Sequence, residues 1–437
     1  MNLKGDLSSL PKLIESKEAK IAFIGLGQAG LPAAINLAKK GFFVTGCDVN
    51  EEKLASLKNG ISYSEDVDDD LLKELVDNSK FKVTDSIDSL SDSDIFILAV
   101  PTFLTKQKTP DVTAVSSVGG QIVASLKKRA LIILESTIYP GATEDILKKQ
   151  LDNRGLSPDK DYLLAYSPSR IDPGNKNWPI TKIPRIVGGL TKNSRTAALE
   201  LYSVLSKNVI PASSIAAAEM TKLYENSFRA INIAFVDKMH MICRAFDLDV
   251  WEIVELASSK PFGFVPFSPG PGIGGECIPI VPLFTAWKAR EFGLRASFIE
   301  LASEIIDMMP NYFTEYLMDL LNKEGKSMKN ANILLMGLAY KGDMADTRES
   351  PAIDILELLE DRGANVSYFD PYIPSYRVNG QTIHSINLDP KTLKNMDAVI
   401  IATAHSRVDY DMIVGNSKLI LDTRNALRNY DLPFIYR

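Results

Sequence analysis

Residues 20–30, KIAFIGLGQAG, constrain this chain more than any other stretch. A short apolar run rich in β-type residues ends at Gly25. It passes directly into a glycine-rich turn and then a helical pattern reaching Lys40. A second β-type run, FFVTGCDVN, ends on Asp48, which lies 18 residues after Gly30. Gly25 permits the tight reversal, Gly27 lets a diphosphate approach the backbone, and Gly30 lets the helix pack close to the strand. Gln28 and Ala29 complete the cradle, where a diphosphate meets the free amides of a helix start. A carboxylate at position 48 suits ribose hydroxyls and repels a 2′-phosphate, so the pattern predicts NAD rather than NADP. Three glycines alone are a weak signal. Strand, glycines, helix, strand and acid in this order are a strong one.

The alternation continues. DIFILAVPT (94–102) and ALIILESTIYPG (130–141) read as buried strands, each closing in a polar turn. YLLAYSPSR (162–170) closes in the same manner on Ser167–Arg170. Ligands of open α/β sheets bind at the carboxyl ends of strands. Thr102 and Thr137 therefore stand where a hydroxyl reaches a cofactor or substrate, although a turn residue bonding its own backbone is the commoner reading of each alone. From Ile215 to about Phe246 there is no Pro or Gly, and the periodicity predicts one long helix capped by Ser213 or Ser214. Lys222, Asn226 and Arg229 share one face of it. They read either as an anion-binding row or as a solvated face with Glu219 and Glu225 pairing to Lys222 and Arg229. Beyond it, ANILLM (331–336), ANVSYFD (364–370), DAVIIATA (397–404) and KLILDTRN (418–425) repeat the strand pattern without a second GxGxxG turn. Lys341 and Arg348 follow the first of these strands.

The chain of 437 residues exceeds one ordinary domain. The expected architecture is α/β, with two Rossmann-like domains joined by a long central helix and a helical middle region. The boundaries are 1–206 for an NAD-binding domain, 207–325 for a central helical region that carries Cys277, and 326–437 for the second Rossmann-like domain. A net charge of −6 argues against a nucleic-acid or anionic-membrane surface. No run of 18 apolar residues predicts a membrane span, and the N-terminal stretch does not read as a secretory signal. Cys47, Cys243 and Cys277 are too scattered for a disulfide framework or zinc pattern, which suits a reducing, cytoplasmic compartment. With three histidines the sequence argues against a multi-histidine metal site, and no metal is expected.

The stretches GLGQAGLP (25–32), VPT (100–102), ESTIYPG (135–141), AEMTKLYENSFRAIN (218–232), KPFGFVPFSPGPGIGGECIPIVP (260–282), WKAREFG (287–293), GLAYKGDMADTRESPA (337–352) and DTRN (422–425) together resemble the nucleotide-sugar 6-dehydrogenases. The KPFGF and WKARE stretches are most similar to the UDP-N-acetylglucosamine 6-dehydrogenase branch. The resemblance covers nearly the whole chain. It implies oxidation of a C6 alcohol to a carboxylate by two hydride transfers to NAD, through a thiohemiacetal and a thioester on Cys277. Lys222 and Asn226 match the pair that stabilises developing charge and positions water, and Thr137 matches a threonine beside the reacting centre. Gly25, Gly27, Gln28, Ala29, Gly30, Asp48, Val100, Pro101, Thr102, Ser136 and Thr137 are expected at the cofactor. Ser169, Arg170, Lys222, Asn226, Arg229, Phe267, Gly270, Gly274, Lys341 and Arg348 are expected at the sugar nucleotide. The family implies that 326–437 binds the UDP-sugar, that 207–325 serves dimerisation, and that the chain forms a homodimer or a higher homo-oligomer.

Two departures touch the chemistry. The family's Ser-Pro-Glu-Arg is here Ser167-Pro168-Ser169-Arg170, and the cysteine loop carries Glu276 and Val281 in place of His and Asp. Two acid/base groups are lost while the thiol, the lysine, the asparagine and the glycine turn remain. Gln28 and Phe103 also depart from the usual tyrosine and proline. Three readings stay open: a uronic-acid-forming enzyme in which Glu276 or another carboxylate takes over, a divergent enzyme with another end point, or a sugar-nucleotide-binding protein without turnover.

Overall fold

The computed structural model describes residues 3–172, 174–175 and 177–437. The chain packs as two units, Met1–Glu225 with Trp287–Gly293, and Asn226–Ala286 with Leu294–Arg437. The expected middle region, 207–325, is thus shared between the two.

In the first unit the strands are β1 (Lys20–Ile24), β2 (Phe43–Cys47), β3 (Phe81–Thr84), β4 (Ile95–Leu98), a small hairpin of β5 (Phe103–Leu104) and β6 (Pro110–Asp111), β7 (Ala130–Leu134), β8 (Tyr162–Tyr166), β9 (Arg185–Gly189) and β10 (Val209–Pro211). Its helices are α1 (Leu10–Ser16), α2 (Gly30–Lys39), α3 (Glu51–Lys58), α4 (Asp69–Asp77), α5 (Thr113–Ser125), α6 (Lys149–Asn153) and α7 (Lys192–Ser203). The main sheet runs β10-β9-β8-β7-β4-β1-β2-β3, parallel except where β9 meets β8. Every residue of β4, β7 and β8 is buried, because helices cover both faces. The strand order reverses beside β1, which puts the glycine turn at the switch point.

α8 (Ile215–Ala245) begins in the first unit and continues into the second. Its 31 residues span about 46 Å, and Ser214 caps it by accepting the Ala217 amide. The second unit contains α9 (Val250–Ser258), α11 (Ser297–Lys323), α12 (Pro351–Asp361), α13 (Pro390–Asn395) and α14 (Tyr410–Asn416), while α10 (Val281–Glu291) links the units along the chain. Its strands are β11 (Asn332–Met336), β12 (Asn365–Phe369), β13 (Ser375–Val378), β14 (Gln381–His384), β15 (Ala398–Ile401), β16 (Ile420–Asp422) and β17 (Ile435–Tyr436). The parallel sheet runs β12-β11-β15-β16-β17, and β13 and β14 form a hairpin. The second Rossmann-like unit is therefore present, with a smaller sheet than the first.

A polar cluster lies inside the first unit at the end of β7. Glu135 pairs with Arg185 at 2.6 Å and accepts the Tyr202 hydroxyl, and all three side chains are buried. Removing one member strands the other's charge in a dry interior. Glu135→Ala should destabilise this unit by about 3–5 kcal/mol, read as a shift of its urea transition. A shift below about 1 kcal/mol would show that the charge finds water there.

Candidate active site

Gly25 turns the chain with φ of +95°, and a side chain on it would strike the Ala99 carbonyl. Gly30 opens α2 so close to the Gly25 carbonyl that a side chain has no room. At Gly27 the space is open, with no atom within 4 Å of where a side chain would begin. The half-buried Gly27-Gln28-Ala29 backbone thus offers a helix start to a diphosphate. Asp48 is fixed by two amides, Leu26 N at 2.8 Å and Asn50 N at 3.0 Å. Each amide occupies one acceptor position on its oxygen, which leaves the carboxylate further acceptor capacity. The Tyr63 hydroxyl also bonds the Leu26 carbonyl, a tie that no local pattern announced. Burial, then Asp48, pushes that phenol far above its ordinary range. This cradle fits the expected NAD.

The turns after β4 and β7 brace each other. Ser136 Oγ donates to Val100 O at 2.7 Å, and Thr102 Oγ1 donates to Thr137 O at 2.7 Å. Each hydroxyl ties the neighbouring turn rather than its own backbone. Pro101 is exposed beside them, and the half-buried Thr137 hydroxyl has no partner among the described residues.

α8 is fastened to the segments after β7 and β8 by three side chains. Glu219 accepts Gly141 N, Thr143 N at 2.9 Å and Thr143 Oγ1 at 2.6 Å. Burial raises its carboxyl above the ordinary range, against the pull of those three donors. Lys222 Nζ donates to Ser169 O at 2.7 Å. Glu225 takes a two-pronged bond from Arg170, at 2.6 and 3.2 Å, while Arg170 also donates to Pro184 O. The glutamates therefore do not pair with Lys222 and Arg229 as a solvated face requires. Lys222 and Asn226 are buried, at 8% and 7% exposure, whereas Arg229 faces solvent. Arg170 enters the site with its guanidinium already engaged. The WKAREFG stretch belongs to this unit, with the Trp287 ring tilted against Tyr139 at 4.9 Å between centres and Lys288 3.9 Å from Asp145.

In the second unit, residues 259–280 form neither helix nor strand. The loop is held at two points. Gly270 N donates to Asp237 Oδ1 at 2.9 Å, and Gly275 N donates to Arg348 O at 2.8 Å. Gly274 lies so close to Tyr340 and the Glu349 carbonyl that a side chain would not fit. Phe267 packs edge-on against Phe228, with ring centres 5.9 Å apart. Cys277 is exposed at the end of this clamped segment. Its carbonyl accepts Val281 N at 2.8 Å, which starts α10, and the Val281 side chain is buried. Glu276, beside the thiol, is ion-paired with Arg348, whose guanidinium also pairs with Asp346 at 2.5 Å. These bonds, that to Asp346 foremost, hold Arg348 firmly protonated. Lys341 is half-buried on the same turn.

The turn after β11 copies the one after β1. Gly337 has φ of +85°, and Leu338 N donates to Asp370 Oδ2 at 2.7 Å, as Leu26 N does to Asp48. Asp370 is further taken by Ala339, Tyr372 and Ile373 amides and by His405 Nε2 at 3.2 Å. Burial would raise its carboxyl, but His405 and the amides hold it below the usual range. A carboxylate so saturated has little left for ribose hydroxyls. That gives a physical reason why this turn does not repeat the dinucleotide site. Among the described residues no cluster of three His, Cys, Asp or Glu could hold a metal, and no helix is long and apolar enough to cross a membrane.

Three family models match the chain. They are the NAD binding domain (residues 19–206), the central domain (216–307) and the UDP binding domain (334–429) of the UDP-glucose/GDP-mannose dehydrogenase family. The UDP-N-acetyl-D-mannosamine dehydrogenase of Pyrococcus horikoshii is 33% identical over 426 residues, covering 96% of this chain and 98% of the relative. The UDP-N-acetyl-D-glucosamine 6-dehydrogenase of Pseudomonas aeruginosa is 32% identical, covering 96% and 97%. A solved structure of the Pyrococcus horikoshii enzyme superposes with a TM-score of 0.87 at 31% identity, over 96% of this chain and 98% of that one. The UDP-N-acetyl-mannosamine dehydrogenase of Staphylococcus aureus does so with a TM-score of 0.81 at 30% identity and the same coverage. With its glycine cradle, its paired strand-end turns and these matches along its whole length, the chain belongs to the UDP-glucose/GDP-mannose dehydrogenase family of NAD-dependent oxidoreductases.

Proposed function

We propose that the chain oxidises C6 of a UDP-N-acetylhexosamine to the uronic acid, with Cys277 as covalent nucleophile. The supporting observation is the exposed thiol two residues beyond a loop segment that Asp237 and Arg348 hold at two points. NAD, bound at the Gly25–Gly30 turn with Asp48, supplies the hydride acceptor. The C6 alcohol gives up a hydride and its hydroxyl proton, leaving an aldehyde. The Cys277 sulfur adds to the carbonyl carbon, and its proton passes to the oxygen. Loss of a second hydride and the hydroxyl proton leaves a thioester. Water adds to the thioester carbon, the C–S bond breaks, and the sulfur regains a proton. Lys222 and Asn226, held on the fastened face of α8, offer fixed donors to the developing oxyanion. Gly270, Gly274, Phe267, Lys341 and Arg348 serve the sugar nucleotide.

The last step is where this chain differs. Ser169 has no carboxylate and Val281 is packed away, so Glu276 is the acid adjoining the thiol. It is paired with Arg348 and must leave that pair to act as a base. A second reading follows from the same pair: if Glu276 stays bound, the reaction ends at the thioester or the aldehyde. The count of NADH per sugar, with the mass of the product, separates the two. The first reading predicts two NADH and a carboxylate. It also predicts that Glu276→Gln slows acid formation about 10²–10⁴-fold and that Cys277→Ser abolishes it. One NADH with a released aldehyde, or two NADH with the sugar retained on the protein as a thioester, supports the second reading. Acid formation by Cys277→Ser at the wild-type rate would exclude the thiol.

We also propose that the chain works as a homodimer in the cytoplasm, where its free cysteines stay reduced. Phe228, Phe235 and Ile242 form one exposed apolar stripe along α8, with Phe235 61% exposed, and exposed Phe246 follows just past its end. α9 buries only Val250 and leaves Ile253 and Leu256 in solvent. Such faces on a long helix suit a two-fold copy of themselves. Light scattering should give twice the 48.2 kDa chain mass, and Phe235→Asp with Leu256→Asp should halve it. A monomeric wild type would contradict the dimer.

A further inference from the structure

Asp237 is a carboxylate sealed inside the second unit, 0% exposed on α8. Its Oδ1 holds the Gly270 amide, at the head of the loop that carries Cys277. Its Oδ2 is also buried and has no hydrogen-bond partner among the described residues. An ionised carboxylate with one bare oxygen in a dry interior is costly. The charge that faces it is Arg424, on the turn after β16. The two make no ion pair. Arg424 is braced instead by its own Nε, which donates to Ala402 O at 2.8 Å. Its Nη1 lies 2.5 Å from where a Gly270 side chain would begin. Asp237 and Arg424 therefore address the same glycine, and among the described residues Nη1 and Nη2 of the arginine donate to no acceptor.

The other surroundings of Asp237 carry no competing charge. The Pro/Gly loop brings a backbone amide. α11 brings Ala302 and Ile306 to α8. On α8, Lys238 is exposed, and burial pushes the His240 imidazole down to about 4, so it is neutral. Burial pushes the Asp237 carboxyl up to about 7, while the Gly270 amide and Arg424 pull it down. Burial likewise brings Arg424 down to about 10, against Asp237 and then Asp422.

We propose that Asp237 is a positioning residue that couples Arg424 to the Cys277 loop, taking up a proton when an anionic sugar nucleotide engages that arginine. The inference rests on the UDP-sugar reading above. The ligand class follows from a guanidinium at the carboxyl end of a parallel sheet, within the segment that matches a UDP binding domain. In the free chain the charge on Arg424 favours the ionised Asp237. A bound diphosphate cancels that charge, and Asp237 loses its compensation. A proton from solvent then settles on the bare Oδ2, while Oδ1 keeps the Gly270 amide. The loop stays fixed as the ligand arrives. Because ligand binding raises the Asp237 pKa, uptake occurs only between the free and bound values. Below the free value Asp237 is already protonated. The window therefore opens near pH 7 and lies on its alkaline side.

Calorimetry of UDP-N-acetylglucosamine binding without NAD tests this, since its diphosphate diester has no group titrating near neutrality. Titrations at pH 7.5 in two buffers of different ionisation enthalpy give the protons exchanged. Wild type should take up roughly half a proton and none at pH 5. Asp237→Asn should bind and take up none. Should that variant fail to fold or bind, the wild-type pH series decides alone. Binding without proton uptake at pH 7.5, or equal uptake by Asp237→Asn, overturns the inference. Absence of binding overturns the substrate reading, and the inference with it.

Discussion

An aspartate at the end of the second strand, accepting the first amide of the turn that follows the first strand, organises both units. In one unit Asp48 takes Leu26 N, and in the other Asp370 takes Leu338 N. The bond fixes a glycine turn at the carboxyl edge of a parallel sheet, where ligands bind. The two turns then part ways by saturation. Asp48 holds two amides and keeps acceptor capacity for a ribose. Asp370 holds four amides and a histidine, and becomes a structural post. One local device thus builds a dinucleotide cradle once and a scaffold the second time.

α8 carries the other half of the logic. Its first turns are bound to the segments after β7 and β8 by Glu219, Lys222 and Glu225, and a later turn holds the cysteine loop through Asp237. The lysine and asparagine expected to act on substrate therefore ride on a helix whose position is set by hydrogen bonds to both segments. Fixed donors cost less reorganisation when charge develops than mobile ones.

Much of this was legible in the sequence. The glycine turn, the helix after it and the acid beyond are written in adjacent residues, because backbone sterics at Gly25 and Gly30 are local. The long helix was legible because 31 residues keep one period without Pro or Gly. The fastening was not. Glu219 meets Thr143 across 76 residues, and Arg348 meets Glu276 across 72. Nothing in the local pattern of either partner encodes such a meeting. Tyr63 and Asp237 escaped for the same reason, and the sequence reading offered Glu225 to a neighbouring cation when Arg170, 55 residues away, holds it. Val281, unexplained as a letter where a polar residue was expected, is the buried first residue of α10.

What remains distinctive is that Cys277, the proposed nucleophile, is kept while the carboxylates expected to serve hydrolysis are replaced by Ser169 and Val281. That combination should make the acyl intermediate long-lived. Acid quenching during steady turnover, followed by peptide mass spectrometry, reads it directly. The account predicts the mass of a sugar-nucleotide thioester on the peptide that contains Cys277. A thiol found unmodified throughout turnover would contradict it.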